Sequence, residues 1–174
     1  KYRHPILFYF LATAIPWTCW FAAGYLSHII PTTDFYMLTA SLLGILGLVS
    51  PMIVAFAMIL PDPELRDDLL SRSFSFKGIR PIYLLATFFL MLTSILLAQA
   101  ISLLFGYSAT QFQFSGAFSF SAGVFPPWFI LILAPILEEL AWHTYGTDCL
   151  RQRFNLTVTS VIFAAYWAMW HFPL

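Results

Sequence analysis

The stretch Pro135–His143, PILEELAWH, sets two carboxylates, Glu138 and Glu139, side by side in a run otherwise made of Pro, Ile, Leu, Ala, Trp and the closing His143. Either it is a solvated helix face or it carries charge into an apolar medium, and that choice decides the fold. The chain is 60% hydrophobic and only 9% charged, with a mean hydropathy of +0.82. Soluble domains carry about a quarter charged residues. A water-soluble globule of 174 residues could not hide so much apolar surface, so the sequence predicts an all-α, polytopic transmembrane helix bundle.

Five apolar segments carry this reading: Pro5–Ile30, Phe35–Leu60, Pro81–Phe105, Pro127–Tyr145 and Leu156–Leu174. Each approaches or exceeds the roughly 20 residues that cross a bilayer as helix. The whole chain reads as one transmembrane domain, with its chemistry concentrated in residues 127–174. The second connection, residues 61–80, is polar with an amphipathic middle, and the third, 106–126, is uncharged and rich in Ser, Gly and Phe, suited to a short interfacial helix or lid. The first residue is Lys1 rather than Met, and the sequence stops at Leu174, so the chain is expected to belong to a longer protein with further helices after residue 174.

Charge orients the bundle. Lys1 and Arg3 precede the first segment, Arg66, Arg72, Lys77 and Arg80 fill the second connection, and Arg151 and Arg153 the fourth, while the first and third connections carry none. All eight Lys and Arg residues therefore fall on one side if every segment crosses. That asymmetry marks the cytoplasmic face. It predicts an integral protein of the cell (inner) membrane with a cytoplasmic N-terminus. The formal net charge is zero, and no basic face suggests nucleic acid. The two cysteines, Cys19 and Cys149, form no CxxC pair and read as free packing residues.

In this frame Glu138 lies roughly 15 Å along its helix, near the middle of a roughly 30 Å hydrocarbon core. An ionisable group there costs several kcal/mol unless it faces protein, water or a partner. A packing role for a hydrogen-bonded carboxylate pair is one account. A functional site is the other and the better supported, because intramembrane acids mark function by default. The two side chains point about 100° apart, so they cannot serve one cavity in the same way. His143 follows Glu139 by four residues, on the same helix face. Pro135, one turn before Glu138, can free a backbone carbonyl near the site. The closing run FAAYWAMWHFPL places His171 about 22 Å along the fifth helix. Its depth then differs from that of Glu138 by about one turn, within what helix tilt absorbs.

EELAWH, a short basic loop and a helix ending WAMWHFPL together resemble the CAAX protease and bacteriocin-processing (Abi) family of intramembrane proteases. That family's motifs begin with EExxxR and FxxxH. Glu138 and Glu139 match the paired glutamates, and Trp167 and His171 match the second motif with Trp in place of Phe. His143 stands where the first motif has arginine. A third motif, a histidine followed four positions later by Asn or Asp, is expected on a later helix beyond residue 174.

The resemblance implies an intramembrane endopeptidase in which Glu138 activates water, His171 holds that water, and Glu139 and His143 support the site. A carboxylate in a low-dielectric cavity becomes a stronger base, and the third motif would supply donors for the developing oxyanion. The implied partners are membrane lipid and a peptide or protein substrate entering from the membrane. No cofactor is expected. The spacing is not the HExxH of zinc proteases, although two Glu and two His leave a metal reading open. The alternatives are a non-catalytic immunity or scaffolding protein of the same fold and a proton-coupled carrier; the latter lacks any inverted repeat.

Overall fold

The computed structural model describes residues 1–73, 80–113 and 124–173. The helices are α1 (Pro5–Ser27), α2 (Asp34–Ile59), α3 (Pro63–Ser73), α4 (Pro81–Leu103), α5 (Pro127–Ala141), α6 (Thr147–Arg151) and α7 (Leu156–Trp170). A 3₁₀ turn spans Ala109–Phe112 and a π turn spans Trp142–Gly146. No strand occurs among the described residues, and the all-α expectation holds. The chain divides into two compact units, Lys1–Ser73 with Phe120–Leu174, and Phe74–Ser119.

Local chemistry sets the helix ends. Pro5 and Pro81 open α1 and α4 in the first turn, where a missing N–H is harmless. The Thr33 hydroxyl accepts from Tyr36 N at 3.3 Å to cap α2. Asp62 Oδ1 accepts from Glu64 N at 2.9 Å ahead of α3. Asn155 Oδ1 accepts from Val158 N at 3.0 Å to cap α7. Each satisfies a backbone donor that the helix leaves orphaned.

Among the described residues three helices, α1, α2 and α4, are long and apolar enough to cross a membrane. α5 and α7 are 15 residues each, shorter than their apolar segments. The fourth segment was expected as one helix to Tyr145. It instead changes pitch at Trp142, where the π turn adds a residue to the helical winding, and continues as α6. The fifth ends at Trp170, with His171 as its cap. In the second connection the amphipathic middle forms α3. The third holds the 3₁₀ turn at Ala109–Phe112, and the rest of the short interfacial helix or lid expected there falls on residues 114–123, which lie outside the described residues.

The larger unit packs around aromatic side chains. Phe8, Trp142, Tyr145 and Trp170 are each 1% exposed or less and form its centre. Cys19 and Cys149 are buried and free. Its outward faces remain apolar: Ile6, Phe10, Tyr25 and Phe35 are more than three-fifths exposed. An apolar surface that a soluble protein could not keep in water joins the long apolar helices in making this a membrane protein.

Internal prolines shape the helix contacts. Pro16 has no N–H for the Ala12 carbonyl one turn earlier, and the Trp170 indole N–H donates to that carbonyl at 2.8 Å. Pro51 likewise frees the Gly47 carbonyl, which the Ser50 hydroxyl takes up at 2.8 Å. Gly47 also lets α2 lie against Trp20, since a Cβ there would fall 2.8 Å from Trp20 Cδ1.

One end of this unit is charged. Lys1 Nζ lies 3.0 Å from Asp68 Oδ1. Arg72 bridges Asp68 and Asp148, each at 2.8 Å. The Tyr2 hydroxyl donates to Asp68 at 2.8 Å. The N-terminal residues, α3 and α6 thus meet at one end. Burial alone would raise the Asp68 pKa, but the Lys1 ammonium, the Tyr2 hydroxyl and the Arg72 guanidinium outweigh it and hold the carboxyl below its ordinary value.

In the smaller unit α4 meets the 3₁₀ turn through a reciprocal amide pair. Gln99 Nε2 donates to Gln111 O at 3.0 Å and Gln111 Nε2 donates to Gln99 O at 3.1 Å. Such pairing lets polar groups end an apolar helix without orphaned donors.

Candidate active site

α5 and α7 carry the site, and α1 holds both in register. The Tyr9 hydroxyl donates to Gly146 O at 2.9 Å, fixing the π turn that follows α5. On α1, the single Thr13 O–H is used on Tyr9 O at 2.8 Å, so Tyr166 of α7 donates to Thr13 Oγ1 at 2.9 Å. Trp17 Nε1 donates to Trp170 O at 3.0 Å. With the Trp170–Ala12 bond, both polar ends of Trp170 are tied to α1. Trp142, almost fully buried, fills the space between α5 and α7, edge-on to Tyr166 and Trp170 at centroid distances of 5.7 and 5.3 Å.

This scaffold brings Glu138 and His171 together. His171 Nε2 lies 3.9 Å from Glu138 Oε1. The other carboxylate oxygen, Oε2, accepts from Trp167 Nε1 at 2.9 Å. His171 Nδ1 lies 2.8 Å from the Trp167 carbonyl. A carbonyl only accepts, so Nδ1 carries a proton, and the neutral form of the ring presents its Nε2 lone pair toward Glu138. The imidazole is held edge-on between Trp167 and Trp170, at 4.4 and 4.9 Å. The Glu138 and His171 side chains are partly buried, at 32% exposed for His171 and 21% for Glu138.

Glu139 and His143 stand apart from this pair. His143 Nδ1 lies 3.0 Å from Glu139 Oε2, one turn along the helix. Both are exposed, at 70% for Glu139 and 54% for His143. The spacing of four residues foresaw their contact. The sequence reading missed the hydrogen-bonding role of Trp167, which it had read only as an aromatic stand-in for Phe. An indole N–H four residues before a histidine at membrane depth was the available signal, because a Trp N–H in such a place seeks an acceptor.

The arrangement holds a carboxylate oxygen and an imidazole nitrogen, both acceptors, at a separation too long for a direct hydrogen bond. One water donating a proton to each spans such a gap. Residues 120–174, which include all five of these side chains, match the family described as Type II CAAX prenyl endopeptidase Rce1-like. The CAAX prenyl protease 2 of Methanococcus maripaludis is 38% identical over 177 aligned positions that cover the whole of this chain. On both counts this chain is similar to CAAX proteases. It spans 64% of the length of that curated relative.

Proposed function

We propose that the protein bearing this chain is an intramembrane endopeptidase of the CAAX type, acting on a prenylated peptide or protein that reaches the site from the membrane. The observation that carries the reading is the 3.9 Å approach of His171 Nε2 to Glu138 Oε1. Two residues distant in sequence, each costly at membrane depth, converge with free acceptor atoms toward one point. The name of the Methanococcus relative, a CAAX prenyl protease, supports the substrate class. A CAAX terminus is a prenylated cysteine followed by three residues.

Glu138 Oε1 and the His171 Nε2 lone pair each accept one hydrogen of a water. The water oxygen attacks the scissile carbonyl as its proton passes to Oε1. Glu138 then returns the proton to the leaving amine. His171 keeps the water in line and need not change charge. The oxyanion requires donors, which the family's third motif would contribute from a later helix. Glu139 and His143 support the helix turn that carries Glu138 and take no chemical step. The active unit sits in the cell membrane with its N-terminal charged end on the cytoplasmic side, following the placement of Lys and Arg.

The test is cleavage of a farnesylated CAAX peptide by the intact protein in detergent or vesicles. Glu138→Gln removes the base and lowers kcat by about 10²–10⁴-fold, and His171→Ala lowers it comparably. Cleavage that survives both substitutions refutes the enzyme reading.

A further inference from the structure

Glu138 and His171 share a neighbour that touches both. The Trp167 indole N–H donates to Glu138 Oε2 at 2.9 Å. Its backbone carbonyl accepts from His171 Nδ1 at 2.8 Å. Its ring lies edge-on to the imidazole at 4.4 Å. We propose that Trp167 is a positioning residue for the base: by holding Oε2, its N–H leaves Oε1 as the one carboxylate oxygen that faces His171 and receives the proton of the attacking water. The inference rests on the assignment of Glu138 as that base.

Three features favour it. The end of a glutamate side chain rotates through a broad, nearly two-fold torsion, so without a partner its oxygens exchange and the carboxylate plane drifts. A single donor on one oxygen removes that freedom. Indole is a donor only, so it cannot compete for the water proton. Finally, Trp167 lies one helical turn before His171, and its carbonyl accepts the ring proton where α7 ends. One residue therefore fixes the carboxylate through its side chain and the imidazole tautomer through its backbone. The phenylalanine of the FxxxH motif offers the ring without the N–H, so this donor belongs to the present sequence.

The experiment separates the N–H from the ring. In the intact protein, Trp167→Phe and the near-isosteric replacement of Trp167 by β-(3-benzothienyl)alanine both remove the donor, and the second keeps the ring's shape. Cleavage of a farnesylated CAAX peptide is measured as kcat and KM, with the thermal midpoint of each variant in the same detergent. Loss of orientation lowers kcat roughly ten- to a hundredfold, with KM within about twofold and an unchanged midpoint in the benzothienyl variant. A benzothienyl variant with wild-type kcat overturns the proposal, as does one in which only KM changes. The Glu138→Gln control keeps the two levels distinct. If it remains active, the assignment of the base fails; if it is inactive while the benzothienyl variant is normal, only the role of Trp167 fails.

Discussion

The Trp170 indole N–H donates at 2.8 Å to the Ala12 carbonyl, the one that Pro16 leaves without a helical partner. A proline in α1 thus creates the acceptor that anchors the end of α7, one residue before His171. Trp170→Phe keeps an aromatic ring in place and orphans that carbonyl in an apolar interior, at a cost of about 1–3 kcal/mol. Restoring a backbone donor with Pro16→Ala in the Trp170→Phe background recovers a substantial part of the loss. Thermal midpoints of the two single variants and the double variant in detergent give the coupling. Additive losses would mean that proline and indole act independently.

Gly47 is where α2 meets Trp20. A methyl group there collides with the Trp20 ring, 2.8 Å from Cδ1. Trp20 has little room to yield, since its N–H is bonded to Gly44 O at 3.1 Å and its ring lies edge-on to Trp170 at 4.7 Å. Gly47→Ala destabilises by about 1–3 kcal/mol through overpacking, although alanine is the better helix former. Because Trp20 touches Trp170, cleavage falls as well. A variant at least as stable as the parent would show that the α1–α2 interface adapts.

The apolar runs made the helical membrane fold legible, because a helix that crosses lipid must be apolar over its length. Counting rise per residue brought Glu138 and His171 within a turn of the same depth, but not their contact. That contact depends on the rotation of α5 and α7, which is set by Tyr9 on Gly146 and by Trp17 and Trp170 on α1. Those bonds join residues distant in sequence and leave no local pattern. The π turn was equally hidden. It relieves a packing demand, the burial of Trp142 among Phe8, Tyr166 and Trp170, which no propensity near Trp142 announces. The Glu139–His143 pair, being local, was read from spacing alone.

The charged end of the larger unit gives a pH dependence of known sign. The native environment holds the Asp68 carboxyl below its ordinary value, which is about 3.9 in an unfolded chain. A depressed carboxylate pKa contributes stability that is fully present above the unfolded value and is lost as pH falls through the folded one. Asp68→Asn therefore lowers the thermal midpoint at pH 7, and its difference from the parent shrinks as pH drops below about 4. A gap that stays constant down to pH 2 would mean that Asp68 stabilises without its charge.

Metal dependence has a separate test. Glu138 and His171 offer one oxygen and one nitrogen, and Glu139 and His143 are engaged with each other. The EELAWH spacing is not the HExxH of zinc proteases, and a carboxylate that takes the water proton itself requires no metal. Peptide cleavage is therefore expected to persist after dialysis against a chelator. Loss of activity that returns on adding zinc would replace the carboxylate-activated water with a metal-bound one.

If Glu138 and His171 hold the same water, their substitutions cannot act independently. Removing either acceptor leaves the water free to turn, so the remaining one gains little from its position. Residues that act as a unit give grossly non-additive losses in kcat. Glu138→Gln alone is expected to lower kcat by about 10²–10⁴-fold. The double variant Glu138→Gln with His171→Ala should fall within about tenfold of the worse single variant. Independent roles, such as His171 binding substrate elsewhere while Glu138 acts alone, predict instead that the two losses multiply. Steady-state kcat for the four proteins decides, and multiplication would break the shared-water geometry even if each residue proved essential by itself.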